Sequence, residues 1–441
     1  MIFHNIQIEK LVTGAFGLGR MPDGLVVLVP HVLPDETVRV TPVRKRKSYL
    51  QARLDQVLEA SPARIDPPCP LYGQCGGCAL QHVRCEDQPR LKSAILHDQI
   101  LRAGLFDGEK IASILSEPLA SPLPFSYRQR IRLRINDRGE CGFLRFHSHE
   151  IIPVNRCLLA RPLINDVLVE LRKLSNCRHL LGLSSELELL FNPDRQNIFL
   201  IFHFSRKPRP GDIKAARETA ASLSHTGAVL LSVAGQGTFP FYSEDGEKYP
   251  QLALLFNLEK GRVIRLGFEP GSFCQVNLEQ NEQLLKLLLD WAEVRNRDQV
   301  LDLFCGMGNF SLPLAMKAGH VLGMDLQRSA IRSARRNAEE AEIDNCRFER
   351  LAAVEGARKL AESGKRFDLV LLDPPRQGCL DSLPHVMRLG AHKIIYISCD
   401  PATLCRDLAL LRQNGYRIRK MKMVDMFPQT HHLETIVLLE K

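Results

Sequence analysis

A cysteine stands at the end of an apolar run in Ile394-Ile395-Tyr396-Ile397-Ser398-Cys399-Asp400-Pro401. A thiolate is a strong nucleophile, and the proline stops the strand where the thiol would open into a crevice. A buried, inert cysteine is the common alternative, which the strand break disfavours. Downstream, Asp425-Met426-Phe427-Pro428-Gln429-Thr430-His431-His432-Leu433-Glu434 precedes a last strand-like run, Thr435 to Leu439. Glu434, His431 and His432 are candidate bases, and spacing alone does not choose among them. A third run, Phe367 to Leu372, ends in Asp373-Pro374-Pro375-Arg376. A fourth, Val300-Leu301-Asp302-Leu303-Phe304, enters the glycine-rich turn Cys305-Gly306-Met307-Gly308-Asn309-Phe310. Asp325 closes the next strand about 20 residues on, where an acid accepts hydrogen bonds from ribose hydroxyls. The third glycine of a dinucleotide fingerprint is replaced by Ser311, and Asp302 stands where it could meet a ligand's ammonium group. Both features favour S-adenosyl-L-methionine, which has no pyrophosphate, over a nicotinamide dinucleotide.

A different chemistry is written in Cys69-x5-Cys75-x2-Cys78, with Gly76 and Gly77 letting the backbone wrap tightly. Three thiolates need a fourth partner, either the local Cys85 or the distant Cys157. A zinc ion or a 4Fe–4S cluster would each be satisfied by four thiolates. The bland alternative, three unrelated core cysteines, fits poorly with three such residues so close together.

These residues need elements to hold them. The chain has 441 residues with 45% hydrophobic and 25% charged, enough for a large core and too apolar for a disordered chain. Thirteen cysteines in so long a chain suggest core, metal or catalytic thiols more than a disulfide framework. No apolar run has the roughly 18 residues a membrane helix needs. The start, Met1-Ile2-Phe3-His4, lacks the layout of a secretion signal, so a cytoplasmic location is expected. The formal charge of +9 suits a polyanionic partner. Residues 1–60 read as a small β module, ending in the basic run Arg44-Lys45-Arg46-Lys47 beside Tyr49. Residues 61–265 read as the cysteine loop followed by a mixed α/β segment. Within it, Tyr127-Arg128-Gln129-Arg130-Ile131-Arg132-Leu133-Arg134-Ile135 predicts a strand with Arg128, Arg130, Arg132 and Arg134 on one face. Four like charges on one face call for neutralisation by neighbouring acids or by a phosphate backbone. Residues 266–441 alternate short apolar strands with helices, which predicts a doubly wound, mostly parallel sheet.

Taken together, the motifs resemble the RNA uracil-C5 methyltransferases that use S-adenosylmethionine. The likeness is to the class with an N-terminal TRAM barrel (an OB-like β-barrel), a central domain with an iron–sulfur cluster, and a C-terminal Rossmann-like class I methyltransferase domain. It rests on Cys69-x5-Cys75-Gly76-Gly77-Cys78 with Gln81-His82, Phe273-x-Gln275-x-Asn277, and Asp302-Leu303-Phe304-Cys305-Gly306-x-Gly308-Asn309-Phe310. It continues through Asp373-Pro374-Pro375-Arg376-x-Gly378, Ser398-Cys399-x-Pro401 and Asp425-x-Phe427-Pro428-x-Thr430-x-His432-x-Glu434. The resemblance implies Cys399 as nucleophile and Glu434 as base. It implies Gln275, Phe304, Asn309, Asp325 and Asp373 as S-adenosylmethionine contacts, and Cys69, Cys75, Cys78 and Cys157 as ligands of a structural 4Fe–4S cluster. It implies an RNA partner, ribosomal RNA ahead of tRNA, and a monomer without a membrane role. The chain departs from the pattern in four places. Asp325 replaces a more frequent Glu, Asp400 replaces Asn beside the nucleophile, Ala352 takes a polar position, and Leu33-Pro34-Asp35-Glu36 lacks the usual turn glycine. An ionised Asp400 would raise the Cys399 pKa. The arginine strand and the Arg44 to Lys47 run are expected on RNA phosphates.

Overall fold

The computed structural model describes residues 4–234, 237–244, 251–257 and 263–441. Strands His4–Val12, Phe16–Arg20, Val26–Val29, Thr37–Lys45 and Tyr49–Glu59 close into a five-stranded barrel. Period-two patterning turns Ile6, Ile8, Val27, Val29, Val38 and Val40 inward. Gly17 is required by this closure, since a Cβ there would stand 2.2 Å from Val32 Cγ2. The turn without glycine is made by Asp35 itself, at φ 67°; Asp is among the few residues that tolerate the left-handed region. The next residue, Glu36, is buried. It accepts from Leu33 N at 2.8 Å and pairs with Arg64, tying the barrel to the segment that follows. The Arg44 to Lys47 run is exposed at the tip between the last two strands, with Val43 69% exposed beside it.

The second layer is a seven-stranded sheet in the order Gly237–Ser243, Thr226–Val233, Asn197–Phe204, Ser184–Asn192, Arg130–Ile135, Cys141–Leu144, Ile151–Pro153. Both faces are covered. Ile198, Leu200 and Phe202 pack with the helices Pro162–Lys173 and Pro210–Ser222, while Phe199 and Ile201 point into the core shared with the C-terminal sheet. The arginine strand begins at Arg130, leaving Arg128 ahead of it. Of the two neutralisations the pattern left open, acidic neighbours are the one observed for three of the four arginines. Pairing places Arg132 opposite Glu188 and Arg134 opposite Glu186 on the neighbouring strand. Glu188 accepts from Arg130 Nε and Arg132 Nε, each at 2.8 Å, and Glu186 pairs with Arg132 and Arg134. Burial works against the Glu188 charge. The hydrogen bond with His203 and the two guanidinium charges nevertheless hold its pKa down to about 2.

The third layer is an eight-stranded sheet. Its order is Cys346–Arg350, His320–Asp325, Gln299–Leu303, Leu369–Leu372, Lys393–Ser398, Glu434–Glu440, Arg417–Val424, Leu115–Leu119. The first five strands are parallel, as expected for a doubly wound sheet, and Glu434–Glu440 runs antiparallel to both its neighbours. Strand order reverses between Gln299–Leu303 and Leu369–Leu372, and ligands bind outside the carboxyl ends at such a switch point. Helices Gln88–Arg102 and Gly108–Ile114 and strand Leu115–Leu119 fall in the range assigned to the central region, yet they join this sheet. Their apolar side chains Ile95, Leu96, Ile100 and Ile111 bury with Leu404, Leu408 and Met421. Among the described residues, no helix is long and apolar enough to cross a membrane.

Candidate active site

Register brings the nucleophile candidate to a base candidate. Ser398 pairs with Thr435, so the next residues in the antiparallel pair, Cys399 and Glu434, face each other across the strand ends. Leu372 pairs with Tyr396 on the other side, which sets Asp373 beside them. Three groups from three strands thus meet at one end of the sheet. Burial pushes the Cys399 thiol up to about 11, helped by the charges of Glu434 and Asp373 and opposed by Arg376. Asp400 is not what raises it. Its carboxylate caps the helix Pro401–Gln413, accepting from Thr403 N at 2.9 Å. Burial, with Asp373 next to it, drives Glu434 well above the usual carboxylate range, and burial alone pushes Asp373 up to about 7. The histidines separate from Glu434 on the same grounds. Burial, then the charges of His431 and Arg376, lowers His432 to about 3, and burial also lowers His431. A group that gives up its proton so readily is a poor base near neutrality.

The glycine-rich turn sits one strand away. Phe304 adopts φ 72°, and Phe304 N and Cys305 N both donate to Met324 O, at 2.9 and 3.0 Å. Asp325 then braces the turn from the adjacent strand, accepting from Gly306 N at 3.1 Å and from Gln327 N at 2.7 Å. Gly306, at φ 56°, has open space where a Cβ would lie, so the turn leaves a cradle. Two apolar side chains stay uncovered near it. Leu326, after Asp325, is 63% exposed. Phe273 is 66% exposed on a loop held to Ser329 through Ser272 Oγ at 3.0 Å. Gln275 lies on the same loop, partly exposed, its carbonyl taking Gln129 Nε2 at 2.6 Å.

Two polar residues expected at the cofactor, Asn309 and Asp302, are held by neighbours. Asn309 is buried in a reciprocal amide pair with Asn281, at 2.8 and 3.1 Å, so its side chain fixes the turn to the helix Leu278–Ala292. Asp302, expected to meet a ligand's ammonium group, has no exposed surface and accepts from Ser311 Oγ. Burial and the charges of Asp373 and Asp325 push it up to about 8, against the Ser311 bond.

The cysteine loop meets the 425–434 loop where Ala79 N and Leu80 N donate to Gln429 O, at 2.9 and 3.0 Å. Cys69, Cys75, Cys78 and Cys157 are free and half-buried, and they lie near enough for their charges to be felt mutually. Burial is the largest influence on Cys78, pushed up to about 12, and it also raises Cys75 and Cys157. Polar groups turn toward the sulfurs: Gly77 N donates to Cys75 Sγ at 3.4 Å, and the Arg128 charge favours the thiolates of Cys78 and Cys157. Arg128 Nε is buried without a partner, and the guanidinium lies 5.9 Å from the ring centres of Tyr127 and Phe427. Cys85 is spoken for elsewhere, accepting from Gln429 Nε2 at 3.2 Å. Among the described residues, no group of His, Cys, Asp or Glu is arranged to hold a single metal ion.

Sequence reasoning missed the supports of the 425–434 loop. Lys92, fully buried, donates to Asp425 Oδ1 at 2.7 Å and Phe427 O at 2.9 Å. Tyr127 Oη donates to Pro428 O at 3.0 Å, and Asn277 Nδ2 to Met426 O at 3.0 Å. The available signal was Lys92 itself, a lysine on the buried side of a helix that also buries Ile95 and Leu96.

Comparison with known proteins agrees with this layout. A family model described as tRNA (Uracil-5-)-methyltransferase matches residues 256–441. The 23S rRNA (uracil(1939)-C(5))-methyltransferase RlmD of Klebsiella pneumoniae is 34% identical over 435 residues, covering 95% of this chain and 91% of that protein. The protein of the same name from Shewanella sediminis is 34% identical over 441 residues, covering 99% and 95%. In fold, the chain is similar to the crystal structure of Pyrococcus abyssi tRNA (uracil-54, C5)-methyltransferase in complex with S-adenosyl-L-homocysteine. The TM-score is 0.71 at 23% identity, over 99% of this chain and 100% of that one.

Proposed function

The chain belongs to the RNA uracil-C5 methyltransferase family, and on that footing we propose that it methylates C5 of a uridine in 23S ribosomal RNA. The observation that carries this is the meeting of Cys399, Glu434 and Asp373 at one edge of the sheet, past the carboxyl ends of two parallel strands and at the start of the antiparallel one. C5 of uracil is a poor nucleophile. Cys399 adds as thiolate to C6, and the electron pair released onto the ring makes C5 an enolate carbon that takes the methyl group. Glu434 then removes the C5 proton, the C5–C6 double bond re-forms, and the Cys399–C6 bond breaks. A nitrogen acceptor has its own lone pair and needs no thiol, which sets this chemistry apart from N-methylation. S-adenosylmethionine supplies the methyl group on a positively charged sulfur, and that charge favours the ionised forms of Asp373 and Glu434. Asp325 and the Phe304 to Gly308 turn would hold its ribose side. Gln275 and the uncovered Leu326 and Phe273 flank the cradle. Arg376 beside Cys399 favours the thiolate. The target base must stand unpaired or be flipped out to reach the thiol.

Two further parts belong to this reading. The five-stranded barrel acts as a TRAM module, and its exposed Arg44 to Lys47 tip contacts RNA phosphates. Cys69, Cys75, Cys78 and Cys157 hold a 4Fe–4S cluster. In support, burial penalises the thiolates of Cys75, Cys78 and Cys157, which metal charge would offset, and the unpaired Arg128 Nε suits an anionic cluster. A cytoplasmic monomer fits an enzyme whose substrate is ribosomal RNA.

The test is nucleoside mass spectrometry and site mapping on 23S rRNA from a strain lacking the gene, with and without a plasmid copy. One 5-methyluridine should vanish and return. An unchanged rRNA pattern with a lost tRNA 5-methyluridine would move the target to tRNA; no change in either would overturn the reading.

A further inference from the structure

Between the cysteine loop and the loop that delivers Glu434 stands a residue that no motif singled out. Gln429 is buried and adopts φ 68°, a left-handed conformation costly for a side chain of this size. All its polar groups are engaged. Its N–H donates to Gln88 Oε1 at 2.8 Å, and its carbonyl accepts from Ala79 N at 2.9 Å and Leu80 N at 3.0 Å. Its side-chain oxygen accepts from Gln88 Nε2 at 2.9 Å, and its side-chain nitrogen donates to Cys85 Sγ at 3.2 Å and Pro124 O at 3.4 Å. Gln88 completes the grip by donating to Leu80 O and Val83 O, each at 3.1 Å. Every one of these partners lies at 79–124, and Ala79 directly follows Cys78. Gln429 itself lies five residues before Glu434 in sequence and two after Phe427.

We propose that Gln429 is a positioning residue that clamps the catalytic loop to the Cys78–Cys85 segment, so that the cysteine loop's conformation sets where Glu434 stands. A strained conformation persists only where its surroundings hold it. Here what holds it is the stretch carrying the candidate cluster ligands. Displacing a reacting group by a fraction of an ångström is expensive in rate, whereas substrate contacts made elsewhere are untouched. The step at risk is the last one, removal of the C5 proton, because Cys399 hangs from a different strand.

The inference deepens the uracil-C5 reading, and the experiment separates the two. Gln429→Gly suits the left-handed backbone, so it removes the side-chain part of the grip, to Gln88, Cys85 and Pro124, without forcing the loop. Gln88→Met removes the same grip from the other side. In cluster-loaded protein with ribosomal RNA, each variant should lose about ten- to a hundredfold in kcat. The KM for RNA should stay within about twofold, because ground-state binding is unchanged. An SDS-stable enzyme–RNA adduct should accumulate, which a general loss of folding would not produce. Independently of activity, amide hydrogen exchange should quicken in 77–85 and 426–434 together while the barrel's rate holds. Wild-type kcat in both variants, or a kcat loss without adduct, overturns the clamp; so does exchange that quickens in one segment alone. If the wild-type protein itself forms no 5-methyluridine, the functional reading fails, and the exchange measurement still decides the clamp.

Discussion

Two clusters of like charge in this molecule have opposite surroundings. On the strand Arg130–Ile135, three arginines are answered by Glu186 and Glu188 one strand away, and His203 with the arginines holds Glu188 ionised against its burial. At the carboxyl ends of the catalytic sheet, burial pushes Asp302, Asp373 and Glu434 toward their protonated forms, with no cation among the described residues offsetting it. Compensated charge is architecture, whereas buried charge left uncompensated marks a place that awaits something positive or a proton to move. By that criterion the arginine strand is a structural girder and the strand ends are the candidate site.

The sharpest break of this contrast is Cys399→Ala, which should abolish methylation while S-adenosylmethionine binding, measured by calorimetry, survives. Next, Glu434→Gln should cut turnover by about 10²- to 10⁴-fold. It should leave protein–RNA adduct visible on a denaturing gel. On the architectural side, Glu188→Gln should cost about 1.5 to 3 kcal/mol in denaturant unfolding by removing the charged acceptor of Arg130, Arg132 and His203, with RNA affinity unchanged. The sign with pH follows from a folded pKa of about 2, below the unfolded value: the Glu188 contribution is whole above the ordinary carboxylate range. It is lost as pH falls toward 2, so the gap in melting temperature between wild type and variant should close over that interval. For the site, a Cys399 pKa near 11 predicts that kcat/KM climbs with pH through 6 to 9 without a plateau. The smallest effect is on RNA binding. Neutralising Arg44 to Lys47 should lower the slope of log affinity against log salt by about 1 for each phosphate that the tip no longer neutralises. Arg132→Gln should leave that slope alone.

The same contrast explains what was legible in the sequence. Cys399, Asp373, Asp325 and Glu434 could be read because each ends an apolar strand or starts one, and a parallel sheet collects such ends on one edge. Pairings across long separations could not be read. Nothing near Arg130 announces Glu188, Asn309 gives no sign of Asn281, and Gln429 and Gln88 lie 341 positions apart. The stretch 88–119 looked like part of the middle region because an amphipathic helix shows that one face is buried, without saying against what. The Leu33 to Glu36 turn looked defective without glycine, yet Asp35 supplies the left-handed residue itself.

The strand Glu434–Glu440 is inserted between Lys393–Ser398 and Arg417–Val424. It is made after Arg417–Val424, yet it stands between that strand and Lys393–Ser398, in the interior of the sheet. During translation the nucleophile's strand is therefore complete while the slot beside it stays vacant. The candidate base therefore meets the candidate thiol only after both flanking strands have been made, and a nascent chain that stops short of residue 434 carries a thiol with nothing opposite it.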